Sequence, residues 1–154
     1  MKLSKNKKKG VELEERVASW LRGLDYDVIV RDLVRGLVVK RPYEVDVHAV
    51  KRRFLRSPIH IWVECKDIKS NIKRTHIMKL VESARDVKDA EMEGVAEWAP
   101  DILMIVATSG FDIDAIRFAD KYGVYCVLAK KRGYIFVGEM AREDFDKNVK
   151  SDYY

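Results

Sequence analysis

The chain is poor in the residues that define specialised architectures. It has two cysteines in 154 residues, Cys65 and Cys126, each inside an apolar run. A disulfide scaffold or a thiolate cluster needs more, so both are excluded. The two thiols read as small buried hydrophobes in a reducing, cytoplasmic setting. There are only three histidines, and His48, His60 and His76 have no metal-ligand spacing to one another or to a cysteine. No apolar run approaches the ~18 residues of a membrane span. The lysines at the start precede no hydrophobic segment, so they do not form a signal peptide. No internal repeat is present, and no low-complexity segment apart from that lysine-rich start. The first ten residues also lack any acid.

What remains has the profile of one globular domain: 47% hydrophobic and 36% charged over 154 residues. The charge is unevenly placed. Residues 1–10 hold five lysines, and the remaining 144 carry 25 basic and 25 acidic side chains. The net charge of +5 is therefore formally that of the N-terminus. Residues 1–9 are expected to form a flexible basic arm, 10–138 the folded domain, and 139–154 a charged tail. Two more basic clusters follow, Lys51, Arg52, Arg53 with Arg56, and Lys66, Lys69, Lys73 with Arg74. Such clusters are either a nucleic-acid footprint or a solubilising tail with solvated loops. Under the first reading, Lys5, Lys7, Lys8, Lys9, Lys51, Arg52, Arg53, Lys69, Lys73 and Arg74 are the candidate DNA contacts.

Val11, Leu13, Val17, Trp20, Leu21 and Leu24 recur at helical spacing and predict a helix over about 10–22, stopped at Gly23. Residues 26–34 read as a strand. The segment 37–50 is strand-like but interrupted by Pro42, which predicts a bend or an edge. Tyr43, Val45, Val47 and Ala49 alternate with Glu44, Asp46 and His48, as in a strand with one apolar face. Residues 59–65 form the next strand. Thr75 is a possible cap for a helix with Ile77, Leu80, Val81, Ala84 and Val87 inward. The run 101–108 predicts a strand buried on both faces. A short helix over 112–122 and a strand over 124–129 follow, with a further edge strand at 134–137. The fold class is α/β: a mixed sheet with helices packed on it, in the order α-β-β-β-α-β-α-β. The first three strands form an antiparallel meander, and the later strand–helix–strand unit gives a parallel pair.

The stretch HIWVECKDI, residues 60–68, carries the chemistry. Glu64 and Lys66 lie two apart at the end of an apolar strand and so share a face. Taken alone, they could be a solvated ion pair. With the preceding strand alongside, Asp46 can join them at one sheet edge. Two carboxylates suit a hard divalent cation such as Mg²⁺, with Mn²⁺ as a substitute, and the Cys65 carbonyl could add an oxygen. A lysine beside them can stabilise transition-state charge or help deprotonate a water.

Asp46 followed by Glu64-Cys65-Lys66, within this element order, resembles the PD-(D/E)XK nuclease superfamily and its restriction-endonuclease-like fold. Val45 stands where that pattern often has proline. Gly10 and Glu14 in KGVELEERV resemble the Gly-x-x-x-Glu of the first helix in archaeal Holliday junction resolvases and Mrr-type restriction endonucleases. The resemblance implies Asp46, Glu64 and Lys66 as catalytic residues. It also implies Glu14 as a further metal-site carboxylate, held directly or through water; the plain alternative for Glu14 is a solvated helix residue. It further implies a DNA endonuclease leaving 5′-phosphate and 3′-hydroxyl ends, and a homodimer. Residues 107–124, ATSGFDIDAIRFADKYGV, resemble the Mrr-type enzymes, which act on modified or foreign duplex. Glu64-x-Lys66 and the small single domain are closer to the resolvases. A non-catalytic DNA-binding protein with the same fold is the rival from another class.

Overall fold

The computed structural model describes residues 4–140 and Phe145. Its centre is a six-stranded sheet whose spatial order follows the chain: β1 (Asp27–Val34), β2 (Tyr43–Arg53), β3 (Arg56–Lys66), β4 (Ile102–Ala107), β5 (Val124–Ala129) and β6 (Tyr134–Val137). Strands β1, β2 and β3 form an antiparallel meander; β3, β4 and β5 run parallel, and β6 returns antiparallel. The parallel centre is where the sequence is most uniformly apolar, because helices cover both of its faces. Helix α1 (Lys5–Gly23) buries Leu13, Val17 and Leu21 against Val47, Ile61, Val63 and Met104 on one face. Helices α2 (Arg74–Met92) and α3 (Ile113–Tyr122) cover Trp62, Ile105, Ala107 and Cys126 on the other. Fully buried leucines and isoleucines of this kind each contribute ~1.5–3 kcal/mol of apolar transfer. No helix among the described residues is long and apolar enough to cross a membrane.

Several boundaries depart from the sequence reading. Helix α1 begins at Lys5, so Lys5, Lys7, Lys8 and Lys9 belong to its first turns and not to a flexible arm. Ser4 caps it, its Oγ accepting the Lys7 N–H at 3.3 Å, and lysine is a good helix former. Thr75 is not a cap. Helix α2 starts two residues earlier, with Lys73 at the N-cap donating its N–H to His76 Nδ1 at 2.9 Å. Residues 37–39 are not a strand. Their N–H groups converge on the Asp86 carboxylate, at 3.1, 2.8 and 3.2 Å for Leu37, Val38 and Val39. The Tyr43 hydroxyl donates to the same group at 2.8 Å. These bonds hold the Asp86 carboxyl below its ordinary range, the Val38 N–H contributing most. Of the expected tail at 139–154, Phe145 is buried against Tyr26, Tyr125 and Phe136. Residues 141–144 and 146–154 lie outside the described residues, as do 1–3.

The simple alternation expected for β2 also fails, and this positions the site. Val45 packs in the α2–α3 core, whereas Val47 and Ala49 pack in the α1 core. Residues two apart on a regular strand share a face, so the alternation reverses at Asp46. Strand β1 does the same: Val28 faces α1 and Val34 faces α2. Its break is Arg31, a non-glycine residue at φ 54°, between the paired residues Val30 and Asp32. The two irregularities fall opposite each other in the β1–β2 ladder.

Candidate metal and nucleic-acid site

Asp46 lies at the reversal in β2 and Glu64 at the end of β3, next beyond the paired residues Val47 and Val63. Freed from the regular pleat, the Asp46 carboxylate reaches across to β3 and accepts the Cys65 N–H at 2.8 Å. The Glu64 carboxyl is hydrogen-bonded to Asp46 and pushed up to about 9. Burial is the largest cause, followed by the bond to Asp46 and that residue's charge; Lys66 and Lys79 oppose the shift. Burial beside the Asp46 charge thus favours the protonated form of Glu64. Such a proton marks a place where negative charge is concentrated without a compensating cation.

Glu14 is brought to the same region from α1. Its carboxyl is raised mainly by burial, and the charges of Asp46 and Glu44 add to this. Its direct partner is Arg31, whose guanidinium donates to Glu14 Oε2 at 2.6 Å. Gly10, one turn earlier, is not required by packing, since an added Cβ there meets nothing within 4 Å. Among the described residues, no three carboxylate, imidazole or thiolate groups gather as a ready metal cage. A hydrated Mg²⁺ asks for less, since it commonly takes one or two carboxylates and keeps its waters. The proton-sharing Asp46–Glu64 pair fits that need, with Glu14 in reach only as an outer, arginine-held group. Cys65 sits inside the β3–β4 ladder opposite Val106, its thiol pushed up by burial, so it offers backbone and not sulfur.

Two cationic or titratable neighbours carried no sequence signal. Lys79, on α2, acts on Glu64. His76, also on α2, is lowered first by burial and then by the charge of Lys66. Beyond Lys66 the chain turns into residues 67–72, and the Thr108-Ser109-Gly110-Phe111 segment clasps this loop. Thr108 Oγ1 donates to Asp67 at 2.8 Å, and Ser109 Oγ donates to the Ser70 carbonyl at 2.7 Å. Ile72 and Phe111 form a parallel bridge, and the Ile72 N–H reaches the Gly110 carbonyl at 2.9 Å. These hydroxyls thus serve the loop. A cleft of about 780 Å³ opens between Lys9, Asp67, Ile68, Lys69, Thr108 and Ser109, beside the C-terminal ends of β3 and β4.

The basic candidates separate into two groups. Lys5, Lys7, Lys8, Lys9, Lys69, Lys73 and Arg74 are exposed. Neither α1 nor α2 has an acid in its first turn, so these cations add to the positive helix ends. Lys51 departs from the expectation. It is 7% exposed, its Nζ donating to the Leu24 carbonyl at 3.4 Å and lying over the Tyr26 ring. Arg52 is exposed and pairs with Asp27 at 2.9 Å, and Arg53 donates to the Ser57 carbonyl at 2.8 Å.

His48 is not on a solvated strand face but 4% exposed, stacked on Trp98 at 3.5 Å. It links Asp32 at 2.8 Å to His60 at 2.9 Å, and burial lowers both histidines. Trp62 is buried beside Tyr43 in the α2-side core, as a core residue should be.

The fold has a known counterpart. A crystal structure of a protein of unknown function, AF1548, matches with a TM-score of 0.60 and 20% sequence identity. The match covers 76% of this chain and 56% of that one, so this chain spans little more than half the length of its counterpart. The likeness is one of fold. No family model matches the sequence, and no curated protein does.

Proposed function

We propose that the protein is a Mg²⁺-dependent DNA endonuclease of the PD-(D/E)XK kind, with a restriction-endonuclease-like layout and a preference for branched DNA such as a Holliday junction. The observation that carries this reading is the Asp46–Glu64 pair. Two carboxyl groups are pressed together until one keeps its proton, with a lysine two residues along the same strand. A protein core gains nothing from such a pair, but a divalent cation replacing the proton would gain both carboxylates. Asp46 and Glu64 would hold the cation, which when bound supplies charge neutralisation at a phosphodiester and an acidified water. Asp46 is kept in place by the Cys65 N–H. Lys66 would orient the attacking water or stabilise charge on the phosphorus oxygens, and Glu14 would act from farther out.

The exposed lysines of α1, with Lys69, Lys73 and Arg74, support a polyanionic substrate. Of these, Lys9 and Lys69 line the cleft that also holds Thr108 and Ser109. Nothing in their arrangement is a base-reading element, which favours recognition by phosphate position and DNA shape. A homodimer would present two such sites to two strands. The test is a cleavage panel of four-way junction, flap, plain duplex, methylated duplex and single strand, in Mg²⁺ and in EDTA. Preferential, EDTA-sensitive cutting of the junction is expected. Equal or better cutting of methylated duplex would replace the junction reading with the Mrr-type one.

A further inference from the structure

The most exposed large apolar side chains among the described residues sit together, at the tip of the β2–β3 hairpin: Phe54 at 84% and Leu55 at 88%. Arg53 and Arg56 are cross-strand partners, so the turn between them is these two residues alone. Two-residue hairpin turns favour Asn-Gly or Gly-containing pairs, because positive φ is required. Here Leu55 takes φ 55° with a full side chain, a strained choice. Arg53 and Arg56 flank the turn as a cross-strand pair, with Arg53 donating to the Ser57 carbonyl at 2.8 Å. The pairing also shifts register between Lys51 and Arg53, across from Pro58, so the tip bends away from the strand axes.

We infer that the Phe54–Leu55 tip is a wedge that enters unstacked base steps of DNA while Arg53 and Arg56 meet the adjoining phosphates. Architectural DNA-binding proteins insert apolar wedges of this kind, and arginine forks match phosphate oxygens. A lipid surface fits less well, because two apolar side chains with a few cations give only marginal attachment. The inference rests on the nuclease reading above and adds a substrate-selecting element to it. The tip and the carboxylates lie on the same two strands. Eight residue steps separate Arg56 from Glu64, roughly 26 Å at ~3.3 Å each. The tip therefore lies at the opposite end of β3 from the carboxylates, a span shorter than one turn of B-DNA, about 34 Å. Unstacked steps occur at branch points and are scarce in plain duplex, so the tip would favour branched substrate.

The test uses an immobile four-way junction with 2-aminopurine at the branch and a duplex of the same arm sequence, both in EDTA so that cutting plays no part. The full-length protein should bind the junction more tightly than the duplex and raise 2-aminopurine fluorescence. Phe54→Ser/Leu55→Ser should lose about tenfold or more in junction affinity and abolish the rise, with little change on duplex. Phe54→Trp should keep both. If the double variant retains affinity and fluorescence, the wedge is wrong and the nuclease reading stands. If the unaltered protein binds no DNA, both fall. Cosedimentation of the unaltered protein, but not the double variant, with phosphatidylserine vesicles would then assign the tip to a lipid surface.

Discussion

Replacing Glu64 by glutamine should make the metal-free protein more stable, and only above acidic pH. In the folded chain the Glu64 carboxyl is pushed up to about 9, from an ordinary value near 4.5. Below the lower value both folded and unfolded chains hold the proton, and the site costs nothing. As pH rises, the unfolded chain releases its proton while the folded one keeps it, so stability falls until the folded group also ionises. Between pH 4.5 and 8 the full effect would be ~5 kcal/mol, at ~1.36 kcal/mol per unit. The fold can relax around the pair and water can reach it, so ~1–3 kcal/mol is expected. Glutamine keeps a donor for Asp46 and has nothing to titrate. Urea unfolding in EDTA should give matching stabilities for the two proteins near pH 5. Near pH 8, Glu64→Gln should be more stable by that ~1–3 kcal/mol, or some ~2–12 °C in Tm. Saturating Mg²⁺ should recover the loss in the unaltered protein, by ~2.7 kcal/mol at a hundredfold excess over Kd. Parallel pH profiles for the two proteins would refute the idea that the carboxyl groups are forced together.

Three further outcomes follow from named groups. Lys66→Ala should lower cleavage by ~10²–10³ while barely changing DNA affinity, since one positioned charge acts mainly in the transition state; equal losses in a binding and a turnover assay would make it a phosphate clamp. Substituting Lys5, Lys7, Lys8 and Lys9 by glutamine should leave helicity by circular dichroism unchanged or higher, because cations oppose the α1 dipole there. The same variant should flatten the slope of log K against log salt by ~2–4 units, and an unchanged slope would remove these lysines from the interface. Asp86→Ala should destabilise the fold by ~1–3 kcal/mol in urea unfolding and expose residues 37–39 to faster amide exchange, because three N–H donors and the Tyr43 hydroxyl lose their acceptor.

Elements whose signal is local were legible in the sequence. The apolar runs of β4 and β5 and the β6 segment are found where periodicity and glycines put them, as is α3, closed by Gly123 at φ 72°. Ser4 is a cap signal that the lysine run obscured, so α1 was read too short. Lys51 could have been read correctly: it shares the parity of Val47 and Ala49, and that face is buried. The reversal at Asp46 could not, because its counterpart at positive φ is Arg31, where no glycine advertises the break. Asp46, Glu64 and Lys66 were singled out by residue type and spacing. Lys79 and His76 were not, because which face of the sheet α2 covers depends on the crossover after β3. The clasp of residues 67–72 by Thr108 and Ser109 is equally non-local, and a turn motif alone says nothing of it.

The most direct test of the nuclease reading is conversion of supercoiled plasmid to nicked and linear forms by the full-length protein, assayed with Mg²⁺ or EDTA and beside folded Asp46→Ala and Glu64→Ala variants. The two carboxyl groups are proposed as the cation's only direct side-chain ligands, so losing either should remove both charge and geometry from the site. Cleavage by the unaltered protein in Mg²⁺ alone, absent in EDTA and in both variants while DNA binding persists, is the predicted result. Cutting that survives EDTA or either substitution, or no cutting of any DNA by the unaltered protein, would contradict it.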